Sequence, residues 1–314
     1  MPRYALTLAL LASAAAAGDA PALAPTAATP ARALAPSRAA GEKISRLLAD
    51  WKAAAEESRA LPAGEREKIR ARIASMAGEC PVGRRIEPTV LAARDVLAAF
   101  KAFGEAHMKD CPLARATPEE RRTEAFAEGE ALGEAHHRLA EDLLALATFA
   151  AGCPGDAGKG HAAAAPEAGT VCAANPSTCR KDLAARLGKI EASWGTVGED
   201  LAKFPASRGK ELRAEYESLA RTSRTVTLFP PTVIALSEGF DALVDLEGKL
   251  GEWARAHPEI TGSVPGETRA AFDESAALVR RARDILRRAA DGMRAGEAES
   301  RRAAAGAGET ARRN

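Results

Sequence analysis

The segment LADWKAAAEESRALPAGEREKIRARIASMA, residues 48–77, lies over EASWGTVGEDLAKFPASRGKELRAEYESLA, residues 191–220, without a gap. Trp51 falls on Trp194, Pro62 on Pro205, Ile69 on Leu212 and Met76 on Leu219, all at a shift of 143 residues. The same shift carries Pro88-Thr89-Val90 onto Pro231-Thr232-Val233. Farther on, Ala125-Phe126 meets Ala271-Phe272 and Leu132 meets Leu278 at a shift of 146, as a small loop insertion would produce. Shared alanine creates some of this by chance, but the matched Trp, Pro pairs and Pro-Thr-Val triplets are harder to obtain that way. Self-similarity at a fixed period is the strongest architectural signal a sequence carries. It predicts a tandem duplication.

Each copy reads as four amphipathic helices. Ile44, Leu47, Trp51, Ala54, Ser58 and Leu61 recur at three-then-four spacing, which places them on one helix face. Pro62 to Gly64 ends that run, and Ile69, Ile73, Met76 and Cys80 carry the next stripe. Pro88-Thr89 is expected to open a third helix with Val90, Leu97, Phe100, Gly104 and His107 inward. Thr117-Pro118-Glu119-Glu120 offers an N-cap, a proline at the first helical position and acid at the positive helix end. The fourth helix then presents Gly129, Leu132, His136, Leu139, Leu143, Leu146 and Ala150. The second copy follows with Leu183, Leu187, Ile190, Trp194, Val197, Leu201 and Phe204; then Leu212, Tyr216 and Leu219; then Val233, Leu236, Phe240, Leu243 and Leu250; then Phe272, Leu278 and Ile285. Four such helices with short loops imply an up-down antiparallel bundle. The expected fold is all-α, a tandem duplication of an antiparallel four-helix bundle.

Composition agrees with helix. About a quarter of the 314 residues are alanine and only 4% are aromatic, so β-branched and aromatic strand formers are scarce. Lys+Arg number 44 against 43 Asp+Glu, a net charge of +1. With no surplus of positive charge to neutralise phosphates, nucleic-acid binding is not expected. Arg280, Arg281, Arg287 and Arg288 are interleaved with acids and read as a solvated face.

Outside the two copies the chain reads as address and connection. Residues 1–17, MPRYALTLALLASAAAA, combine an early Arg3, a short apolar run and Ala15-x-Ala17, the pattern of a secretory signal peptide. No cysteine follows the apolar run, so a lipoprotein anchor is not expected. No later stretch approaches the roughly 18 apolar residues of a membrane helix. Residues 18–41 carry four prolines among alanines and read as an Ala/Pro-rich disordered linker. Bundle 1 is then expected over 42–153, a Cys-containing linker over 154–179, bundle 2 over 180–304 and a disordered tail over 305–314. The localisation implied is export, periplasmic or secreted.

Five cysteines occur, none after Cys179. In an oxidising compartment they are expected to pair. Cys80 and Cys153 end helices at the same end of bundle 1, which makes a Cys80–Cys153 bridge natural. Cys172 and Cys179 enclose a turn-rich loop, and Cys111 is left unpaired. Other pairings remain open. The second copy lacks cysteines, so it is expected to melt first under heat, while reduction harms mainly the first.

Candidate chemistry is thin. Gly133-Glu134-Ala135-His136-His137 holds one Glu-x-x-His, the spacing that puts two ligands on one helix face in di-iron bundles. Such centres need two of these motifs, and the second copy has Ala282 and Arg283 where the histidines would fall. His136, His137 and Glu134 are therefore the candidate cofactor-binding residues, as ligands of a haem or a single transition metal; the plainer alternative is a hydrogen-bonded core His136 beside an exposed His137. Hydrolase, zinc-ribbon and phosphate-loop signatures are absent. No cofactor is called for and no catalytic residue is nominated. The favoured expectation is a non-enzymatic binding or interaction module of the cell envelope, its partner an unknown protein, a cell-wall component or a small ligand. A metal- or haem-binding bundle using His136/His137 and a purely structural envelope spacer are the alternatives.

Overall fold

The computed structural model describes residues 34–107, 117–119, 122–151, 176–261 and 266–313. Among them every regular element is a helix. We number these α1 (Ala35–Ala60), α2 (Ala63–Glu79), α3 (Gly83–Ala106), α4 (Glu124–Ala151), α5 (Pro176–Gly195), α6 (Val197–Lys203), α7 (Ala206–Thr222), α8 (Arg224–Ala256), α9 (Pro258–Thr261) and α10 (Gly266–Arg313). No described helix is long and apolar enough to cross a membrane.

The stripes read from the sequence mostly become the core. Ile44, Trp51, Leu97, Phe100, Leu143, Leu187, Phe240, Leu243, Phe272 and Ile285 are all buried in one continuous cluster that draws on both halves of the chain. Two independent bundles, each with its own core, are therefore not what forms. A ring of α3, α4, α8 and α10 makes the centre, each packing on the next, with α1 lying along α4 and α8 and α5 along α3 and α10. The first helix of each half thus packs on the third helix of the other half. An amphipathic helix must bury its face against something, and a neighbouring half with the same pattern of ridges serves as well as its own.

Helix directions follow from cross-helix pairs. Lys43–Glu238, Trp51–Thr232 and Arg224–Asp50 run α1 antiparallel to α8, while Ala125–Trp253 and the Gly239–Leu143 approach do the same for α4. α1 and α4 therefore lie parallel. On the other side Asp95–Arg186 and Thr89–Trp194 set α5 antiparallel to α3, and Glu274–Arg180 with Arg281–Glu191 set it parallel to α10.

The buried indoles lock this exchange. Trp51 Nε1 donates to Thr232 Oγ1 at 2.8 Å, and Trp194 Nε1 donates to Thr89 Oγ1 at 2.9 Å. Each threonine hydroxyl in turn donates to the carbonyl four residues back, Leu228 and Arg85, at 2.7 Å. The polar atom that a buried Trp must satisfy is satisfied in each case by the opposite half. Close approach of α4 and α8 needs Gly129, where a Cβ would stand 2.3 Å from the Trp253 ring.

Several boundaries depart from expectation. α1 begins at Ala35 with Pro36 in its first turn, inside the segment expected to be linker to residue 41, because proline is tolerated there. α3 starts at Gly83 and keeps Pro88 within it, and α8 keeps Pro230 and Pro231. Pro230 leaves the Val226 carbonyl without its helical donor, and Tyr216 Oη supplies one at 3.2 Å. α4 starts at Glu124, where Thr123 Oγ1 accepts from the Phe126 N–H at 3.2 Å, so Thr123 rather than Thr117 caps it. α5 begins at Pro176, within the expected linker 154–179, and α10 continues to Arg313 through the expected tail, in an alanine- and arginine-rich run that favours helix. The expected α5 stripe breaks at Gly195–Thr196, which turns Leu201 of α6 outward to 46% exposure. On α2 no residue is fully buried, so Ile69, Ile73 and Met76 stay half-covered beside α3 and α7.

Candidate functional site

α4 holds the nominated residues, and its neighbours decide what each can do. His136 points into the centre of the ring and is fully buried. Its ring lies edge-on to Phe100 at 5.8 Å, and neither ring nitrogen has a hydrogen-bond partner. Burial, with a smaller push from His137, drives its pKa down from 6.5 to about 3, so the imidazole is neutral. The hydrogen-bonded core histidine of the sequence reading is thus a buried histidine without a bond.

His137 is half-buried rather than exposed, with Nε2 3.5 Å from Glu141 on the next turn. Glu141 also accepts from Lys101 of α3 at 2.9 Å, and that bond and the nearby charges hold its carboxyl below the usual range against the effect of burial. His136 and His137 occupy adjacent helical positions and diverge, one to the core and one to the α3 side. Glu134 lies on another flank, lining a groove against α1. The structure does not bring the three together. Among the described residues no group of three His, Cys, Asp or Glu is placed to hold a metal ion.

The cysteines divide similarly. Cys80 is a free thiol at the end of α2, so the expected Cys80–Cys153 bridge is not made at that end. α2 flanks α3 and α7 outside the ring, so counting helix ends within a closed four-helix bundle misplaced it. Cys179 is buried in the first turn of α5, is disulfide-bonded, and makes no bridge to Cys80. Cys111, Cys153 and Cys172 lie outside the described residues.

A groove of about 590 Å³ lies between the parallel helices α1 and α4. Small residues open it: Gly41 on one wall, Ala131 and Ala135 on the other, with Leu34 and Leu139 at its base. Charges of both signs line it. Arg38, Arg46 and Arg138 stand exposed at the rim, whereas Glu134 and Asp142 are half-buried. Burial and the neighbouring Glu141 push the Asp142 carboxyl up, with Arg138 pulling the other way. Sequence reading nominated Glu134 for a different reason and missed the groove. Its only local signal was the run of small residues on α4, which looks like ordinary helix filler.

A second buried group went unnoticed. Glu247 of α8 is enclosed against α10, neither carboxylate oxygen makes a hydrogen bond, and Arg280 Nη1 is 3.6 Å away. Burial pushes its pKa up to about 8, more than Arg280 and Arg283 pull it down. A third polar cluster is structural: buried Arg85 donates to Ser193 O at 2.7 Å, to Thr196 Oγ1 at 3.0 Å and to Asp200, tying α3 to the α5–α6 break.

Comparison with protein-family models, with curated proteins and with solved structures finds no match to this chain.

Proposed function

We propose that the chain is an exported, non-enzymatic helical protein that serves as a binding or interaction module in the cell envelope, periplasmic or secreted. The observation that carries this reading is the groove between α1 and α4, a recess of about 590 Å³ beside the core. Clefts of this size between helices are where bundles take up ligands. The leader-like pattern of residues 1–17 and the Ala/Pro-rich stretch after it support export. The nominated side chains of α4 diverge, which favours binding over catalysis.

We also infer that the two halves descend from one helical unit by duplication. The support is the pairing of Trp51 with Thr232 and of Trp194 with Thr89, two bonds whose members are each 143 residues apart from their counterparts.

The test uses the exported protein. Its intact mass gives the processing point, expected after Ala17. A photo-crosslinker placed at Ser45, on the groove, should give a saturable adduct with an envelope component; one placed at Lys68, on exposed α2, should not. Equal labelling from both positions would overturn the reading. The haem- or metal-binding alternative rests on the unpartnered nitrogens of His136. It requires a surplus native mass that disappears in His136→Leu.

A further inference from the structure

We propose that the α1–α4 groove is a seat for a basic side chain presented by a peptide whose neighbouring residues are acidic, with Asp142 as the carboxylate that receives the cation. This rests on the reading of the protein as a binding module and names the occupant.

The second half of the molecule shows how such a groove is filled. α5 and α10 lie parallel as α1 and α4 do, and Arg281, 146 residues after Ala135, lays its side chain across α5. Its Nη1 donates to the Ala184 carbonyl at 3.2 Å, while Nε and Nη2 donate to the two Glu191 oxygens at 3.1 and 2.6 Å. Gly188 lies beneath it, where a Cβ would meet Nη2 at an ordinary contact distance of 3.5 Å. Paired charge-assisted bonds of this kind fix both position and chemical identity.

In the first half the same place is framed by Gly41, Ser45 and Ala135, which stand where Ala184, Gly188 and Arg281 stand in the second. The side chain that fills the one groove is cut back to a methyl group in the other. What faces the opened space is Asp142, whose Oδ2 lies 4.0 Å from where a Cβ of Gly41 would be. No hydrogen bond or close ion pair from the described residues reaches this carboxylate, and burial raises its pKa even though Arg138 lies near enough to pull it down. Glu191 has no counterpart at Leu48, so the receiving acid has moved from the first helix to the last.

The rim restricts the occupant further. Arg38, Arg46 and Arg138 stand exposed at the mouth, with Arg46 turned 3.5 Å from Glu42. A bare cation would be repelled there. A peptide with acid on either side of its basic residue meets guanidinium groups at the rim and a carboxylate inside, so its charges are complementary at both depths.

The probe is the capped tripeptide acetyl-Glu-Arg-Glu-amide, titrated onto the full chain by calorimetry beside the same peptide with citrulline for arginine. Saturable binding is expected, weakened about tenfold or more by citrulline and by Asp142→Asn, the size of one charge-assisted hydrogen bond. Ala135→Arg, which rebuilds in the first half what Arg281 does in the second, should abolish it. Circular dichroism melts are the check that each variant folds, and either one alone suffices for the test. Equal affinity for the citrulline peptide, binding that survives Ala135→Arg, or tighter binding of an all-acidic tripeptide would each overturn the proposal. A crosslinked partner from Ser45 whose capture is indifferent to Asp142→Asn and Ala135→Arg would overturn this assignment while leaving the binding-module reading standing; no adduct at all would remove both.

Discussion

In the second half of the molecule Arg281 reaches across α5 and clasps Glu191, whereas in the first half Ala135 stands at the corresponding position and lines a groove between α1 and α4. Elsewhere the halves are alike: each buries a tryptophan at the same place in its first helix and bonds it to a threonine of the other half. The likeness marks what holds the fold together, because a buried indole N–H needs its acceptor wherever it sits. The difference marks what the fold leaves open. At the corresponding position one half carries arginine, bonded to Glu191, and the other alanine, beside the groove.

The comparison can be broken most severely by separating the halves. If α1 and α5 belong to the opposite halves in packing, residues 34–151 and 176–295 made as separate chains should each lack a cooperative melt and regain it when produced together. The intact chain should unfold in one transition. This replaces the expectation that the second half melts first; two resolved transitions, or a half that folds alone, would return the molecule to two bundles.

Acid should weaken the fold through His136 of the first half, at a position that Ala282 occupies in the second. The folded pKa lies near 3 against 6.5 unfolded. Its contribution is therefore whole above pH 6.5 and is lost as pH falls towards 3, at up to about 1.4 kcal/mol per unit. His136→Leu should flatten that loss in melts run from pH 7 to 4. Glu247 works in the opposite sense: raised to about 8 from 4.5, it contributes fully below 4.5 and loses its contribution as pH climbs through 8. An unchanged acid slope in His136→Leu would show that the loss comes from elsewhere.

Smaller effects sharpen the picture. Gly129→Ala drives a methyl into the Trp253 ring and should cost about 1–3 kcal/mol, whereas Gly188→Ala meets only Arg281 at ordinary contact distance and should be near neutral. Thr89→Val and Thr232→Val each leave a buried indole N–H unpaired and should cost about 1–3 kcal/mol apiece. Equal losses in urea titrations would sharpen the symmetry, and clearly unequal ones would break it. Leu201→Ser, on the exposed side of α6, should change stability by no more than about 0.5 kcal/mol.

The candidate site was legible only in fragments. Glu134 was singled out for a metal spacing, yet in the fold it lines the groove with Asp142, which no motif marked. His136 was placed inward by its period, and it is; that it lacks any bond depends on Phe100 and the facing helices, which lie far away in the chain. Cys80 was paired by counting helix ends in a closed bundle, and it is free because α2 lies outside the ring.

The all-α character and the inward face of nearly every long helix were set by the sequence alone. Periodicity is a local property: Leu132, His136, Leu139 and Leu143 share one side of a helix whatever that helix packs against. Tertiary structure alone decided which partner each face found. Two halves with the same stripes offer each first helix two comparable places to lie, and local pattern cannot choose between them. The choice is made by bonds such as Trp51–Thr232, between residues 181 apart in the chain. With that choice made, Ala135 of α4 and Gly41 of α1 line the same groove.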